Sequence, residues 1–364
     1  MQAVVLVGGE GTRLRPLTFE TPKPMVPVFG IPFLERTLRR LREAGVSEAI
    51  LAAGYLPSAI REAFGDGSRL GIDVTYVVEE TPLGTAGALK NLAEHIRGPF
   101  FVLNGDVLTS LDLRAMRAFH RERGGLGVIH TIRVEDPSAF GCVVRDASGR
   151  VATFVEKPPR GSAPTDEINA GTYLLEPAVL DLIEPGKAVS IERETFPALI
   201  ASGGGLYAYQ TDDYWIDLGR PEHYLRAHRD VLAGTLRLDA AESAGDAGQM
   251  WLHGAADPPV HVRLPVFIDE DVTIEPGATV GPYAVLGAGS RIGAGADVAH
   301  SILWDGVVIG NGARVEGAIL ASNVRIGERA RVREGSVIGH DARIEADVDI
   351  AEGSRLSAIE VAHT

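Results

Sequence analysis

The chain has 364 residues, which is more than one ordinary domain contains and enough for two. Hydrophobic residues make up 45% of it and can build a sizeable core, whereas a net charge of −14 excludes a general nucleic-acid or membrane-surface binder, which needs a basic face. Its single cysteine, Cys142, excludes an internal disulfide framework and a cysteine-rich zinc site.

Buried strands and amphipathic helices alternate along the first part of the chain. The first apolar run, 3–7, is too short for a signal peptide or a membrane span, so we expect a cytoplasmic protein. The further predicted strands are 48–53, 74–79, 100–106 and 127–134, and the helical patterns between them include 32–45 and 84–96. Continuous apolar strands separated by such helices predict a mostly parallel sheet that is covered on both faces.

The last part of the chain has a different period. Apolar residues recur every six positions, with two slips of one residue: Ile268, Ile274, Val280, Leu286, Ile292, Val298, then Leu303, Ile309, Val315, then Leu320, Ile326, Val332, Ile338, Ile344 and Ile350. Glycine follows six of these positions, at 281, 287, 293, 310, 327 and 339. Neither a helix nor a long strand has this period, but a parallel β-helix does.

These patterns together predict the architecture. The fold class is α/β: a Rossmann-like domain with a mostly parallel sheet at 1–232, followed by a left-handed parallel β-helix of hexapeptide repeats at 260–364. Between them, 233–259 has no sustained period and is rich in Ala, Gly, Asp and Pro, so we interpret it as a connector.

A glycine-rich turn directly follows the first strand, in the sequence GGEGTRLRPLTFETPKPMVPV (8–28). Backbone N–H groups of such a turn can bind phosphate, although this one fits neither the Walker nor the dinucleotide pattern. Arg13 and Lys23 follow it in an acidic chain, and prolines on both sides of Lys23 stiffen the segment. Only four of the 35 basic residues are lysines, so a lysine here favours a site that needs a compact ammonium group.

The same stretch resembles the signature of sugar-1-phosphate nucleotidylyltransferases, G-G-x-G-T-R-L-x-P-L-T followed by P-K-P. Other segments that resemble this family follow in its usual order: PLGTAGAL (82–89), VLNGDV (102–107), AFGCVV (139–144), FVEKP (154–158), INAGTYLL (168–175) and WIDLGRPEHYL (215–225). The resemblance covers residues 1 to about 230. It implies an enzyme that joins a nucleoside triphosphate to a sugar-1-phosphate and releases pyrophosphate.

The resemblance also implies roles for the residues on these motifs. Arg13 and Lys23 would stabilise the triphosphate and the leaving pyrophosphate, and Asp106 and Asp217 would hold Mg²⁺ on the α-phosphate from either side of a cleft. The residues expected to face the nucleotide are Gly8, Gly9, Gly11, Thr12, Gly84 and Thr85. A turn or helix-cap role for Asp106 and a structural ion pair for Asp217 remain the alternatives.

A third group of motif residues is expected to bind the sugar phosphate. Lys157 would bind its phosphate, Glu156 and Asn169 its hydroxyls, and Gly141 and Gly171 would allow close approach of the backbone. A surface carboxylate and a turn asparagine are the alternatives for Glu156 and Asn169.

Within the family, SIERETFP (190–197) and NAGTYLLEP are most similar to the mannose-1-phosphate guanylyltransferases. This branch implies GTP and mannose-1-phosphate as substrates and GDP-mannose as product. The alternatives are glucose-1-phosphate with UTP, dTTP, CTP or ATP, and a non-catalytic regulatory relative. Because Arg13, Lys23, Asp106, Lys157 and Asp217 are all present, the regulatory alternative is the weaker one.

The predicted β-helix contains three histidines, His261, His300 and His340. Many hexapeptide proteins are acyltransferases with a catalytic histidine, but none of these three lies in a long loop insertion, so we interpret them as solvent-facing residues of the coils. The flat faces of a β-helix favour self-association. We therefore expect a homo-oligomer that binds small-molecule substrates and neither nucleic acid nor a membrane.

Overall fold

A computed structural model describes residues 1–54, 57–79, 81–238, 250–252 and 261–358. The chain forms two compact units: unit 1 comprises Met1–Gly9 and Thr37–Trp215, and unit 2 comprises Glu10–Arg36 and Ile216–Thr364. Most of the predicted connector lies outside the described residues, and the predicted domain boundaries stay a prediction. In the described part of the chain, no helix has the length and hydrophobicity needed to cross a bilayer.

The helices are α1 (Phe33–Glu43), α2 (Pro57–Phe64), α3 (Gly84–Asn91), α4 (Leu113–Arg123), α5 (Phe196–Ala201) and α6 (Pro221–Leu232). The strands up to residue 217 are β1 (Gln2–Leu6), β2 (Pro27–Val28), β3 (Ile31–Pro32), β4 (Glu48–Ala53), β5 (Asp73–Val78), β6 (Phe100–Asn104), β7 (Val107–Thr109), β8 (Gly127–Arg133), β9 (Gly141–Arg145), β10 (Val151–Glu156), β11 (Glu167–Leu175), β12 (Leu206–Gln210) and β13 (Trp215–Asp217).

The remaining strands are β14 (Met250–Leu252), β15 (Val266–Ile268), β16 (Thr273–Ile274), β17 (Thr279–Val280), β18 (Ala284–Leu286), β19 (Arg291–Ile292), β20 (Asp297–Ala299), β21 (Ile302–Leu303), β22 (Val308–Ile309), β23 (Arg314–Glu316), β24 (Ile319–Leu320), β25 (Arg325–Ile326), β26 (Arg331–Val332), β27 (Val337–Ile338), β28 (Arg343–Ile344), β29 (Asp349–Ile350) and β30 (Arg355–Leu356).

Unit 1 is built on one large sheet with the main order β10-β9-β11-β6-β1-β4-β5. Strands β6, β1, β4 and β5 are parallel, and β1 lies at the centre, where Ala3, Val4 and Val5 are fully buried. This parallel half confirms the predicted Rossmann-like sheet. Strand β11 pairs antiparallel with β6, β8 and β9. Strands β9 and β10 form a hairpin, because their short connection favours antiparallel pairing.

The last part of unit 2 consists of parallel strands arranged in three sheets. One sheet has the order β14-β15-β18-β21-β24-β27-β30, and the other two are β16-β19-β22-β25-β28 and β17-β20-β23-β26-β29. Successive residues of the six-residue pattern fall in successive sheets, and residues one coil apart are partners, as Ile292 is with Ile309 and Ile309 with Ile326. The predicted β-helix is therefore confirmed, and the arrangement is consistent with a left-handed one.

Glycine at the corners lets the coils stack closely. A Cβ atom added to Gly310 would lie 2.7 Å from the backbone nitrogen of Glu328 in the next coil. Real Cβ atoms do not approach backbone that closely, so the corner needs a residue without one. Inside the coils the stacked apolar residues form one continuous core, which includes Ile292, Ile309 and Ile326.

Candidate active site

Two of the predicted site segments leave the large sheet of unit 1 at the same edge. Strands β1 and β6 are parallel neighbours with Leu6 opposite Asn104, so Gly8 and Asp106 both follow the carboxyl ends of adjacent strands. A Cβ atom on Gly105 would lie 2.5 Å from the Leu6 carbonyl oxygen, which brings the two segments into close contact. Ligands of open α/β sheets bind at this edge. Gly9 has open space around it, where a ligand can approach the backbone.

The segment that begins with Gly84 packs against residues 187–192. Gly84 has a φ of 69°, and a Cβ atom there would lie 2.7 Å from the Val189 carbonyl oxygen. Both the backbone angle and the lack of space therefore require glycine. The Thr85 hydroxyl donates to Glu192 Oε2 at 3.1 Å and accepts from the Ile191 N–H at 2.8 Å. Both contacts fix Thr85 and Glu192 at the amino end of α3.

Three predicted sugar-site residues lie together at the β9–β10 hairpin. Gly141 is the partner of Glu156, and a Cβ atom on Gly141 would lie 2.7 Å from Glu156 Oε2. Glu156 Oε1 in turn lies 3.2 Å from Lys157 Nζ. The side chain of Lys157 is 60% exposed, whereas that of Glu156 is 17% exposed. The arrangement presents one ammonium group to solvent beside a mostly shielded carboxylate.

Asn169 and Gly171 lie on β11, beside β6. The Asn169 Oδ1 accepts from the Gly171 N–H at 2.9 Å, and its Nδ2 donates to the Tyr173 hydroxyl at 2.8 Å. Gly171 has a φ of 73°, and a Cβ atom there would lie 2.6 Å from Asn104 Nδ2. An irregularity in β11 therefore places Gly171 beside Asn104 at the end of β6, two residues before Asp106.

Burial and the Glu192 carboxylate both raise the pKa of Tyr173, burial being the larger cause. Tyr173 is fully buried and its hydroxyl donates to Glu192 Oε1 at 3.5 Å. The neutral phenol can therefore link Asn169 to Glu192, and through Glu192 to Thr85. This network joins the predicted sugar-binding strand to the predicted nucleotide-binding helix within unit 1.

In unit 2, Gly11, Thr12 and Arg13 lie on a loop that has short 3-10 turns at Thr12–Leu14, Leu17–Phe19 and Lys23–Met25. Gly11 has a φ of 64°, and its carbonyl accepts from the Thr18 hydroxyl at 2.8 Å. A Cβ atom on Gly11 would lie 3.0 Å from Cβ of Lys23. The glycine turn therefore packs directly against the lysine segment, and the loop closes on itself.

Three charged side chains of unit 2 converge beside Gly219. A Cβ atom on Gly219 would lie 2.7 Å from Asp217 Oδ1, 2.8 Å from Arg13 Nη2 and 3.2 Å from Lys23 Nζ. Arg13 Nη2 is 3.9 Å from Asp217 Oδ2, and the Gly219 N–H donates to Asp217 Oδ1 at 2.6 Å. Residues that are distant in sequence thus place two cations and one carboxylate around one point.

Sequence reasoning did not single out Gly219, Asn104 or Glu192. All three lie in segments that carried the family resemblance, WIDLGRPEHYL, VLNGDV and SIERETFP, so their motif membership was the available signal. Arg15, which is next to the signature cations, instead pairs with Glu10 at 3.0 Å and lies over the Phe19 ring. It belongs to the loop's own structure.

The donor set fits a hard divalent cation. Among the described residues, there is no group of three or more His, Cys, Asp or Glu side chains that could hold a metal ion. Mg²⁺ does not need such a cage, because one or two carboxylates together with phosphate and water oxygens suffice. In unit 2, Asp217, oriented by the Gly219 N–H, is a carboxylate of this kind.

Residues 2–234 match the family model described as nucleotidyl transferase, and residues 262–363 match the one described as GMPPB C-terminal domain. A mannose-1-phosphate guanylyltransferase from Mycobacterium tuberculosis is 46% identical over 262 residues, which are 71% of this chain and 72% of the relative. A mannose-1-phosphate guanyltransferase from Eremothecium gossypii is 42% identical over 243 residues, 65% of this chain and 64% of the relative.

A solved structure adds a likeness in fold. The crystal structure of HddC from Yersinia pseudotuberculosis complexed with GMP-PN is 32% identical, with a TM-score of 0.54. The match covers 63% of this chain and 99% of that chain.

Proposed function

The chain belongs to the nucleotidyl transferase family, and from this premise we propose that it transfers a guanylyl group from GTP to mannose-1-phosphate. The products are GDP-mannose and pyrophosphate. The names of the relatives support this reaction, and the family resemblance read from the sequence is confirmed. The observation that carries the proposal is the convergence of Arg13, Lys23 and Asp217 beside Gly219.

The reaction needs no covalent enzyme intermediate. A phosphate oxygen of mannose-1-phosphate bonds to the α-phosphorus of GTP, while the bond from that phosphorus to the α,β-bridging oxygen breaks. Pyrophosphate leaves with the electron pair of the broken bond. Positioning and charge stabilisation are therefore the main tasks of the protein.

Arg13 and Lys23 supply the positive charge for the triphosphate. Their end groups lie around one point. Because the pyrophosphate gains negative charge as it leaves, the two cations stabilise the transition state more strongly than they stabilise bound GTP. Gly8, Gly9, Gly11 and Thr12 contribute backbone N–H groups to the nucleotide.

Within unit 1, we assign Gly84 and Thr85 to the base and ribose. Because the Thr85 hydroxyl is engaged with Glu192 and Ile191, its contribution is to hold the amino end of α3 in place.

The sugar phosphate is assigned to the β9–β11 region of unit 1. Lys157 binds the phosphate of mannose-1-phosphate through its exposed ammonium group, while Glu156 and Asn169 accept or donate hydrogen bonds to the sugar hydroxyls. Gly141 and Gly171 allow close packing here, because a Cβ atom on Gly141 would lie 2.7 Å from Glu156 Oε2 and one on Gly171 would lie 2.6 Å from Asn104 Nδ2.

We propose Mg²⁺ as the divalent ion, with Asp106 and Asp217 as its protein ligands. When bound, the ion supplies charge neutralisation on the phosphate oxygens. Hydrogen bonding from the Gly219 N–H holds the Asp217 carboxylate in one orientation, and the β6–β1 edge fixes the start of the segment that carries Asp106.

The first test is pyrophosphate release with Mg²⁺ across five nucleoside triphosphates, each with mannose- or glucose-1-phosphate. We expect strong release only with GTP and mannose-1-phosphate. Release with another pair would support the same reaction with different substrates, such as glucose-1-phosphate and another nucleoside triphosphate. If no pair gave pyrophosphate release, the result would favour the non-catalytic regulatory alternative.

We also propose a cytoplasmic homo-oligomer. The buried, unpaired Cys142 is the only cysteine, so the fold needs no oxidising compartment, and the β-helix provides flat faces for self-association. Light scattering after size exclusion measures the mass of the particle. A monomer at micromolar concentration would contradict the oligomer.

A further inference from the structure

The loop that carries Arg13 and Lys23 packs against the β-helix within unit 2. Thr21 Oγ1 and His340 Nε2 share a hydrogen bond of 3.1 Å, although 319 residues separate them. A Cβ atom on Gly339, the neighbour of His340, would lie 3.0 Å from Cβ of Pro16. One corner of the β-helix therefore contacts the loop on both sides of residues 17–20.

His340 is half-buried, whereas His261 and His300 are exposed. The interpretation of all three as solvent-facing residues is therefore wrong for His340. The reason is the Thr21 contact, which sequence spacing does not reveal. His300 instead stacks on Tyr283, with ring centroids 5.5 Å apart, on the surface of the β-helix.

A buried aromatic group supports the same contact. The rings of His340 and Trp304 lie 5.3 Å apart, and Trp304 is only 4% exposed. The Trp304 indole N–H donates to the Tyr224 hydroxyl at 3.1 Å, and that hydroxyl donates to the carbonyl of Pro27. The segment from Thr21 to Pro27, with Lys23 inside it, is thus hydrogen-bonded at both ends to one packed group of side chains.

This segment has little other regular structure to fix it. It contains a single 3-10 turn, Lys23–Met25, closed by the Met25 N–H to Pro22 and the Val26 N–H to Lys23. A short 3-10 turn is weak by itself, so its position depends on its anchors. A small displacement of Lys23 would move its ammonium group away from the point it shares with Arg13 and Asp217.

We propose that His340 is a positioning residue for the reaction: through Thr21 it fixes the segment that carries Lys23. The inference deepens the proposed function and rests on it. It gives the β-helix a catalytic consequence, since a side chain of its coils sets the position of a phosphate-binding cation.

The test compares His340→Ala with His340→Gln, whose amide reaches toward Thr21, and with His300→Ala as the matched control. Loss of one hydrogen bond to the loop should lower kcat for pyrophosphate release roughly five- to tenfold. KM for GTP should stay within about twofold, because Lys23 acts mainly on the leaving group. His340→Gln should recover most of kcat, and His300→Ala should equal the wild type.

Variants of Thr21, the hydrogen-bond partner of His340, provide an independent test. Thr21→Val should lower kcat as His340→Ala does, Thr21→Ser should not, and the double variant Thr21→Val/His340→Ala should be no slower than either single variant. Additive losses would overturn the proposal, since they would mean that the two side chains act separately.

Hydrogen exchange without substrate separates this proposal from the proposed function. The amides of Met25 and Val26 should exchange faster in His340→Ala than in the wild type or in His300→Ala. If the wild type is inactive on every substrate pair, the proposed function fails and the exchange still tests the positioning. If the wild type is active while His340→Ala keeps both kcat and exchange, the positioning role is refuted and the function stands.

Discussion

Some residues of this protein matter because they lack a side chain and so leave space for the groups around them. Gly219 is the clearest case, because its missing side chain makes room for Asp217 Oδ1, Arg13 Nη2 and Lys23 Nζ. Its N–H also fixes Asp217. A glycine to which the sequence analysis assigned no role therefore decides whether three charged groups can share one space.

Gly219→Ala tests this directly. The new methyl group would lie within 3 Å of the end atoms of Asp217 and Arg13, so both must move, and kcat should fall roughly tenfold. The melting temperature should change little, because those side chains can rotate away. Gly98→Ala is the control, since nothing lies within 4 Å of its added Cβ atom. Wild-type activity in Gly219→Ala would show that the three groups do not need this space.

A second prediction at this scale concerns the charge of Asp106. In Asp106→Asn the amide cannot supply the negative charge that a divalent cation requires, so kcat should fall by at least about a hundredfold with the fold intact. Circular dichroism verifies the fold and pyrophosphate release measures the rate. Asp166→Asn, which removes an exposed carboxylate of unit 1 paired with Arg133, is the control. Activity of Asp106→Asn within a few-fold of wild type would contradict the metal role.

At the scale of elements, each coil of the β-helix is stabilised by the coils above and below it. Ile309 lies in a central position between Ile292 and Ile326 and is 1% exposed, whereas Ile350, the partner of Val332, is only half-buried. Repeat proteins depend on such nearest-neighbour interfaces. The cost of removing side-chain volume should therefore depend on where along the stack it is removed.

Ile309→Ala should lower the free energy of unfolding of the β-helix by about 2–4 kcal/mol, because it leaves a cavity between two neighbours. Ile350→Ala should cost roughly half as much, since its side chain is partly in water already. Urea titrations followed by circular dichroism measure both. Equal losses would mean that the coils do not depend on their neighbours.

The elements that the sequence predicts well are those with a local period. The six-residue spacing predicted the β-helix in which Ile292, Ile309 and Ile326 are partners, and the apolar run 3–7 predicted the buried strand β1. The antiparallel pairing of β11 with three strands was not predicted, because it joins segments far apart in the chain and no local pattern encodes it. The same is true of Thr85 with Glu192 and of Thr21 with His340.

Among the described residues, His130 in unit 1 and His228 in unit 2 are almost completely buried histidines with a strongly lowered pKa. His130 in unit 1 is 0% exposed and His228 in unit 2 is 2% exposed, and burial lowers the pKa of each to about 4. Asp213 opposes the effect on His130, and Arg40 adds to it; for His228 the Tyr224 carbonyl opposes it and Arg36 adds to it. His228 accepts the Phe29 N–H at Nε2, so it needs to stay neutral to keep this bond.

Stability should therefore fall as the pH drops from about 6.5 toward 4. In this range the unfolded chain binds a proton at each histidine and the folded chain does not, so unfolding is favoured by about 1.4 kcal/mol per pH unit for each histidine. Below about pH 4 both states are protonated and this contribution becomes constant. Carboxylates contribute to the same slope, so the informative measurement is a difference: urea titrations at pH 7, 6 and 5 on wild type, His228→Gln and His130→Gln. Each variant should be less stable at pH 7 and show a flatter decline on acidification. An unchanged slope in either variant would mean that its histidine is already charged in the folded protein, or is not buried.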